Sequence, residues 1–562
     1  MKISPLPAGT AQNAWLQASA AAGCWCSVVL LVSVPGILIA QGHDGLAYTL
    51  GIGGAAFLWA TLIVPVIAGS PAASSIPAYL SSRCASATTG AISSFVLLTA
   101  LAGLLAAELT ATAGLVRLIG GNNSTVGFVA ALMLAAFGLT AAIHGTRVAS
   151  SASAALVPAI VGTVVIVLVL ISPRDGPGAL ISIPAIADIT SLEQTLLEKR
   201  LADPAIFKPH AVPFLRTDAL NFGMLVTCLS LGLALLASPR LNPATAEPFS
   251  VSKLAGRALM LVVGIIVLLP PLAAAAKRAL LALFASGVRP AALPEWMNSS
   301  LQAGMLQICG STVTDPIILT KACGKGVGQQ GLIRWHEAIF APDALLFAGI
   351  QSASSAASIL IAAVAGLAVI ATFWTSRRIA TLAMGGTGAP ATTAAIYKPC
   401  LVVLAAAVIA YAKPADAVTL MTWSASLAAA ALAPTMIAAI FARNPSVIAA
   451  NTAILTGAII TVAVILAARY APVELAGWSN ALASAPSAVT RKLASLQDAW
   501  AAAAEGPGKD ALRAQAEKLA RDNLSWFGVK PMAAGIFGLA LGCIIVLIGT
   551  VLSSIGWRKP SN

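Results

Sequence analysis

The sequence predicts an all-α polytopic membrane protein with about twelve transmembrane helices, the first of them discontinuous. Three observations carry that expectation. Of 562 residues, 58% are hydrophobic and only 9% charged, with a mean hydropathy of +0.90. Apolar runs of about 20 residues or more, enough to cross a ~30 Å hydrocarbon core, recur throughout. The first run, "LLVSVPGILIA", also holds Pro35 and Gly36 back to back. A soluble fold could not cover so much apolar surface with 33 Lys and Arg and 20 Asp and Glu.

Breaks between the runs place spans at 17–41, 46–69, 88–117, 126–144, 151–172, 219–238, 254–276, 341–374, 397–413, 417–442, 445–468 and 530–555. With the N-terminus in the cytoplasm, Lys2, Arg83, Arg147, Arg240, Lys253, Arg257, Arg377, Arg378, Arg443, Arg558 and Lys559 lie inside. The short loops opposite keep only Arg117 and Lys413. That bias follows the positive-inside rule and returns the C-terminus to the cytoplasm, as in a multi-pass protein of the cell's inner (plasma) membrane. Lys2 is followed by polar, Pro-containing sequence, so no cleavable signal peptide is expected. The net charge of +13 is mostly topology. No basic cluster marks a nucleic-acid partner.

The chain divides into a cytoplasmic N-terminus (1–16), helices 1–5 (17–172), an outer loop (173–218) and helices 6–10 (219–442, with an outer loop at 277–340). Helix 11 (443–468), an outer amphipathic helical segment (469–529), and helix 12 with a cytoplasmic tail (530–562) complete it. In the amphipathic segment, apolar positions repeat at helical spacing with both charge signs opposite, which predicts a solvated or interfacial helix pair. Cys309 and Cys323 share one outer loop, where a disulfide is open to them in an oxidising compartment. Cys24 and Cys26 have no second pair or His cluster beside them, so no metal beyond a coupling ion is expected. "GVGQQG" at 326–331 follows no strand and gives no dinucleotide site. No nucleophile, metal-ligand or acid–base constellation points to an enzyme, and no organic cofactor is implied.

Polar features inside the spans are the candidate chemistry. Pro35 removes an intrahelical donor and Gly36 tolerates irregular backbone, so the first helix either kinks or breaks there. A break at membrane depth is tolerated only where its free carbonyls and amides line a cavity or bind something. Glu108, mid-span in "GLLAAELTATAG", should face the bundle interior, an aqueous path or a partner. In "IQSASSAASILIAAVAG", Gln351, Ser355 and Ser358 fall on one helical face with Ser354 beside them. Small hydroxyl residues serve close helix packing by default; two or three of them with backbone carbonyls also suit a hard monovalent cation.

The stretches "GHDGLAYTLG" (42–51) with "SIPAYLSSR" (75–83), "DALNFGMLVTCLSLGLALLASPRL", "TWSASLAAAALAPTMIAAIFAR" (422–443) and "WFGVKPMAAGIFG" (526–538) follow one another over nearly the whole chain. In that order they resemble the sodium:solute symporter family, and its acetate-permease-like branch most. The resemblance implies a LeuT-like core of two inverted five-helix repeats, here 17–172 and 219–442, followed by two extra helices. It also implies sodium-coupled import of a small organic solute, typically a monocarboxylate. The carbonyls of Val28 and Leu31 would face a sodium ion, completed by hydroxyls of the eighth span.

Several positions depart from the family pattern. Ungapped alignment from Pro342 puts Ile359 and Leu360 where a Ser-Thr pair belongs. Only a shift of about one helical turn brings in Ser354 and Ser355. Gly23 and Cys24 precede Trp25 where an acid is usual, Ala237 and Ser238 replace a Pro-His, and Glu108 stands where relatives tend to carry Gln.

The expected function is therefore a symporter for a short carboxylate such as acetate, coupled to sodium or protons. Its solute would lie near Pro35, Gly36, Glu108, Thr227, Ser230, Trp423 and Ser424, and its sodium near Val28, Leu31, Ser354, Ser355 and Ser358. The partners implied are a small anionic organic solute and membrane lipid. A rival reading, motivated by the departures, is a non-transporting symporter-like module: a sensor or a subunit of a complex with a small membrane protein.

Overall fold

The computed structural model describes residues 11–23, 25–68, 70, 75–120, 124–143, 148–171, 183–202, 210, 219–237, 248–323, 332–353, 357–384, 393–443, 445–478, 481–482, 485, 487–503 and 507–554. In chain order the elements are α1 (Ala11–Gly23), α2 (Val34–Gln41), α3 (Leu46–Leu58), α4 (Val64–Ala68), α5 (Ile76–Arg83), α6 (Ala87–Gly120), α7 (Ser124–Ile143), α8 (Val148–Ile171) and α9 (Ile183–Glu198). There follow α10 (Ala219–Leu236), α11 (Pro248–Ser286), α12 (Glu295–Gln302), β1 (Leu306–Ile308), α13 (Pro316–Cys323), β2 (Ala338–Phe340), α14 (Pro342–Ala353), α15 (Ala357–Ala383) and α16 (Thr393–Ala412). The last are α17 (Ala417–Phe441), α18 (Val447–Tyr470), α19 (Pro472–Trp478), α20 (Ser487–Ala502), α21 (Pro507–Asn523) and α22 (Gly535–Ser554).

Among the described residues, eight helical runs are long and apolar enough to cross a membrane, and three shorter apolar helices accompany them. The first run, Val29–Ile67, turns at the 3-10 segment Gly42–Gly45, so it contributes two legs. The eighth span differs most from expectation. Its described parts are α14 and α15, and α15 continues to Ala383, carrying Arg377 and Arg378 in helix rather than in a loop. Likewise α11 runs on to Ser286, past the expected end at 276.

The first two spans share one local device. A π turn at Val29–Ser33 precedes Val34-Pro35, and a second at Trp59–Ile63 precedes Val64-Pro65. Proline has no N–H for the carbonyl four residues back and crowds the preceding turn. Widening that turn by one residue lets the helix continue past it. Pro35 and Gly36 therefore sit inside continuous helix, which corrects the expectation of a break there.

The chain forms two compact units. In the first, made of 1–75, 101–214 and 237–421, the segments expected outside the membrane pack together. Ile189 and Leu196 of α9 share a buried core with Leu281 and Phe284 of α11, Met297 and Leu301 of α12, and Leu306 and Ile308 of β1. β1 pairs antiparallel with β2, Leu306 opposite Phe340. Cys309 and Cys323 are disulfide-bonded, closing the loop that follows β1.

The second unit comprises 76–100, 215–236 and 422–562. Small residues set its spacing: a Cβ at Gly457 would meet the Ala430 carbonyl oxygen at 2.3 Å, and one at Gly538 the Gly457 oxygen at 2.6 Å. That is close packing by absence of side chain. Arg83 of α5 caps the C-terminal end of α17, its Nε donating to the Ala439 carbonyl at 2.7 Å and Nη2 to Ala442 at 2.9 Å. The amphipathic segment forms α20 and α21, packed around Val473, Leu493, Ala516 and Ala520.

Candidate functional site at the break in the first helix

The first helix is interrupted at Trp25–Ser27, one half-span before Pro35. α1 ends at Gly23, and its last turn is closed by Trp25 N–H donating to the Ala22 carbonyl (2.9 Å) and Cys26 N–H to Gly23 (3.2 Å). Ser27 starts the next segment as an N-cap. Its hydroxyl accepts the Leu30 N–H at 3.0 Å while its carbonyl accepts the Leu31 N–H at 3.0 Å. A restarted helix leaves its first amides without intrahelical acceptors. Glu108, fully buried on α6, supplies one: its Oε2 accepts the Val28 N–H at 2.9 Å. The Ser27 hydroxyl and Val29 amide also approach this carboxylate. The carboxyl group thus lies at the positive end of a helix. Oε1 is buried with no hydrogen-bond partner among the described residues.

Aromatic and hydroxyl groups surround the break. Trp25 meets Trp59 edge-to-face at 6.0 Å, and the Arg378 guanidinium lies 5.9 Å over the Trp25 ring. One turn beyond Glu108, Thr112 is hydrogen-bonded to Thr372 of α15 at 2.6 Å, both buried. At the far end of the π turn, the Ser33 hydroxyl donates to Asp343 of α14, a second buried acid. The five residues Val29–Ser33 are thus bracketed by two buried carboxylates from two different helices. Gly36 presses on α14 as well, where a Cβ would lie 1.8 Å from the Pro342 carbonyl oxygen.

The expected cation ligands are only partly in view. Pro35 deprives the Leu31 carbonyl of its i+4 donor, while the Val28 carbonyl opens the restarted helix. Ser354 and Ser355 lie outside the described residues; Ser358 opens α15 with its side chain likewise outside them. Nearby, Ser352 bonds back to the Ala348 carbonyl at 2.7 Å and Gln351 is half-buried. A cavity of ≈ 20 Å³ lies among Leu31, Ile160, Thr163, Leu272, Leu346 and Ile350. That is room for about one water, in an almost wholly apolar lining.

The remaining expected solute residues belong to the second unit. Thr227 is exposed, its hydroxyl donating to the Gly223 carbonyl at 2.8 Å. Ser230 and Ser424 are buried. Trp423 holds a buried Nε1 with no acceptor among the described residues. Beside them, Ser426 donates to the Met532 carbonyl at 2.8 Å, tying α17 to the turn before α22.

Sequence reasoning missed Asp343. An acid directly after a proline reads as a solvated helix start, and only the fold buries it against Ser33. It also misplaced the break, although Gly23 and Ser27 carry helix stop and start signals.

No family model matches the sequence, and no curated protein does. Among solved structures, a Na+-coupled sialic acid symporter in its substrate-bound outward-open state is similar over 97% of this chain and 90% of its own, at 13% identity and a TM-score of 0.50. A manganese transporter of Eremococcus coleocola covers 97% and 98% at 14% identity, with a TM-score of 0.36. The chain is an all-α polytopic membrane protein, and it shares the symporter's fold, the LeuT-like class with a discontinuous first helix.

Proposed function

We propose that the chain is a secondary active transporter of the inner (plasma) membrane, with both termini cytoplasmic. It moves a small anionic organic solute, a short monocarboxylate such as acetate, coupled to sodium or protons. The observation that carries this reading is the break at Trp25–Ser27 with Glu108 on the amide it frees. Amides at a helix start are a ready anion site. Glu108 occupies in this conformation an amide that a solute carboxylate would otherwise take. Sodium coupling is supported by the Na+-coupled symporter that shares the fold. Its ligands would be the carbonyls of Val28 and Leu31 with Ser354, Ser355 and Ser358.

Bound ligand stabilises the folded state by mass action. Thermal unfolding of the purified protein in sodium, against choline at equal ionic strength and with acetate present or absent, tests the reading. Stabilisation by sodium that is lost in Ser354→Ala and Ser355→Ala supports the ion assignment. Absence of any shift with sodium, acetate or both would overturn the binding reading.

A further inference from the structure

A chain of contacts, buried from Lys277 to His210, fastens the segment carrying α9 to the turn between α2 and α3. The Lys277 ammonium of α11 lies 3.3 Å from Glu193 Oε1 of α9, with side chains only 3% and 4% exposed. Both Glu193 oxygens accept the backbone N–H of His210, at 2.8 and 3.1 Å. The His210 carbonyl in turn accepts the His43 N–H at 3.2 Å, and the two imidazoles meet at 5.2 Å between centroids. Gly42 makes this approach feasible. Its φ is +62°, and a Cβ there would lie 2.7 Å from the His210 oxygen and 2.9 Å from its Cα.

Taking Lys277 and Glu193 out of water costs several kcal/mol per ion in general, so such a pair is weak evidence of stabilisation. Its use is better sought in what it fixes. Docking α9 on α11 is already served by the apolar core of Ile189, Leu196, Leu281 and Phe284, and by the more exposed Arg278–Asp188 pair at 3.8 Å. What Glu193 adds is a fixed acceptor for one amide, that of His210, whose carbonyl reaches the turn.

We propose that Glu193, held by Lys277, is the positioning residue of a strap. It pins His210 on the Gly42–Gly45 turn and thereby sets how freely α2 and α3 move about that turn. Its consequence for transport rests on the transporter reading; the strap itself is tested without any solute.

Hydrogen exchange on the full-length protein in lipid nanodiscs reads it directly, because the His43 amide is the bonded donor. In Glu193→Ala, which removes the acceptor, exchange at His43 and its neighbours should quicken by about tenfold or more while α14 and α15 stay as in wild type. The swap Lys277→Glu with Glu193→Lys re-forms an ion pair but leaves the His210 amide without its carboxylate. It should leave α9 protected and His43 exposed to exchange. Gly42→Ala, which touches no charge, should expose His43 in the same way and covers the case in which the charge variants fail to fold. Wild-type protection of His43 in Glu193→Ala or Gly42→Ala would overturn the proposal. So would its recovery in the swap, or equal acceleration across the whole unit. If the chain moves no solute, these outcomes keep their meaning.

Discussion

Glu108 and Val28, 80 residues apart, meet at the break in the first helix: a buried carboxyl group accepts the N–H of the restarted helix at 2.9 Å. Removing the acceptor leaves a buried amide unsatisfied, a cost of about 1–3 kcal/mol. Glu108→Ala should therefore lower the melting temperature clearly, and Glu108→Gln, which keeps an acceptor oxygen, much less. Thermal unfolding of both variants checks this; equal losses would mean that Glu108 serves by its charge alone.

Gly36 and Gly162 offer a matched pair. A Cβ at Gly36 would overlap the Pro342 carbonyl oxygen, whereas nothing lies within 4 Å of one at Gly162. Gly36→Ala should destabilise by about 1–3 kcal/mol through forced backbone shifts. Gly162→Ala should be neutral, or stabilising by about 0.5–1 kcal/mol through helix propensity. Denaturation midpoints of the two variants decide it.

The bond between Cys309 and Cys323, 14 residues apart, closes a short loop on the packed body around β1 and β2. A loop of that length is worth about 3 kcal/mol in the chain-entropy model. Cys309→Ser with Cys323→Ser should raise hydrogen exchange in β1, β2 and α13 while sparing α18 and α22. Two fewer maleimide-reactive thiols before reduction than after would verify the bond itself.

His210 gives a pH dependence of defined sign. Burial, then the neighbouring Lys277 and His43, push its imidazole from the ordinary 6.5 down to about 3. The unfolded chain takes up a proton near pH 6.5 that the folded chain refuses until near pH 3. Its contribution to stability is therefore full above about 6.5 and declines as the pH falls between those values. In His210→Gln the melting temperature should fall less steeply over that window, as a pH series of unfolding curves would record.

Much of the fold is legible because hydropathy and charge bias act locally: spans, turns and small-residue packing follow from neighbours in sequence. The site is less so. The expense of burying Glu108 can be read from the sequence, but its partner, Val28, comes from a distant helix. Pro35 misleads because a π turn absorbs it, while Ser27, one hydroxyl among many, provides the actual helix start. Asp343 is invisible in the sequence since its buried partner, Ser33, lies 310 residues earlier. The body around β1 and β2 likewise draws its core from α9, α12 and the end of α11 beyond residue 276, stretches that the sequence places in two separate outer loops.

The proposed function requires gradient-driven movement of a small carboxylate. Purified protein in proteoliposomes, loaded with potassium and diluted into labelled acetate with an inward sodium or proton gradient, measures it directly. Accumulation above the level in protein-free vesicles, abolished when the gradient is collapsed and reduced in Glu108→Ala, is the predicted result. Equal label in both vesicle types, for acetate and every other short carboxylate offered under either gradient, would contradict the account.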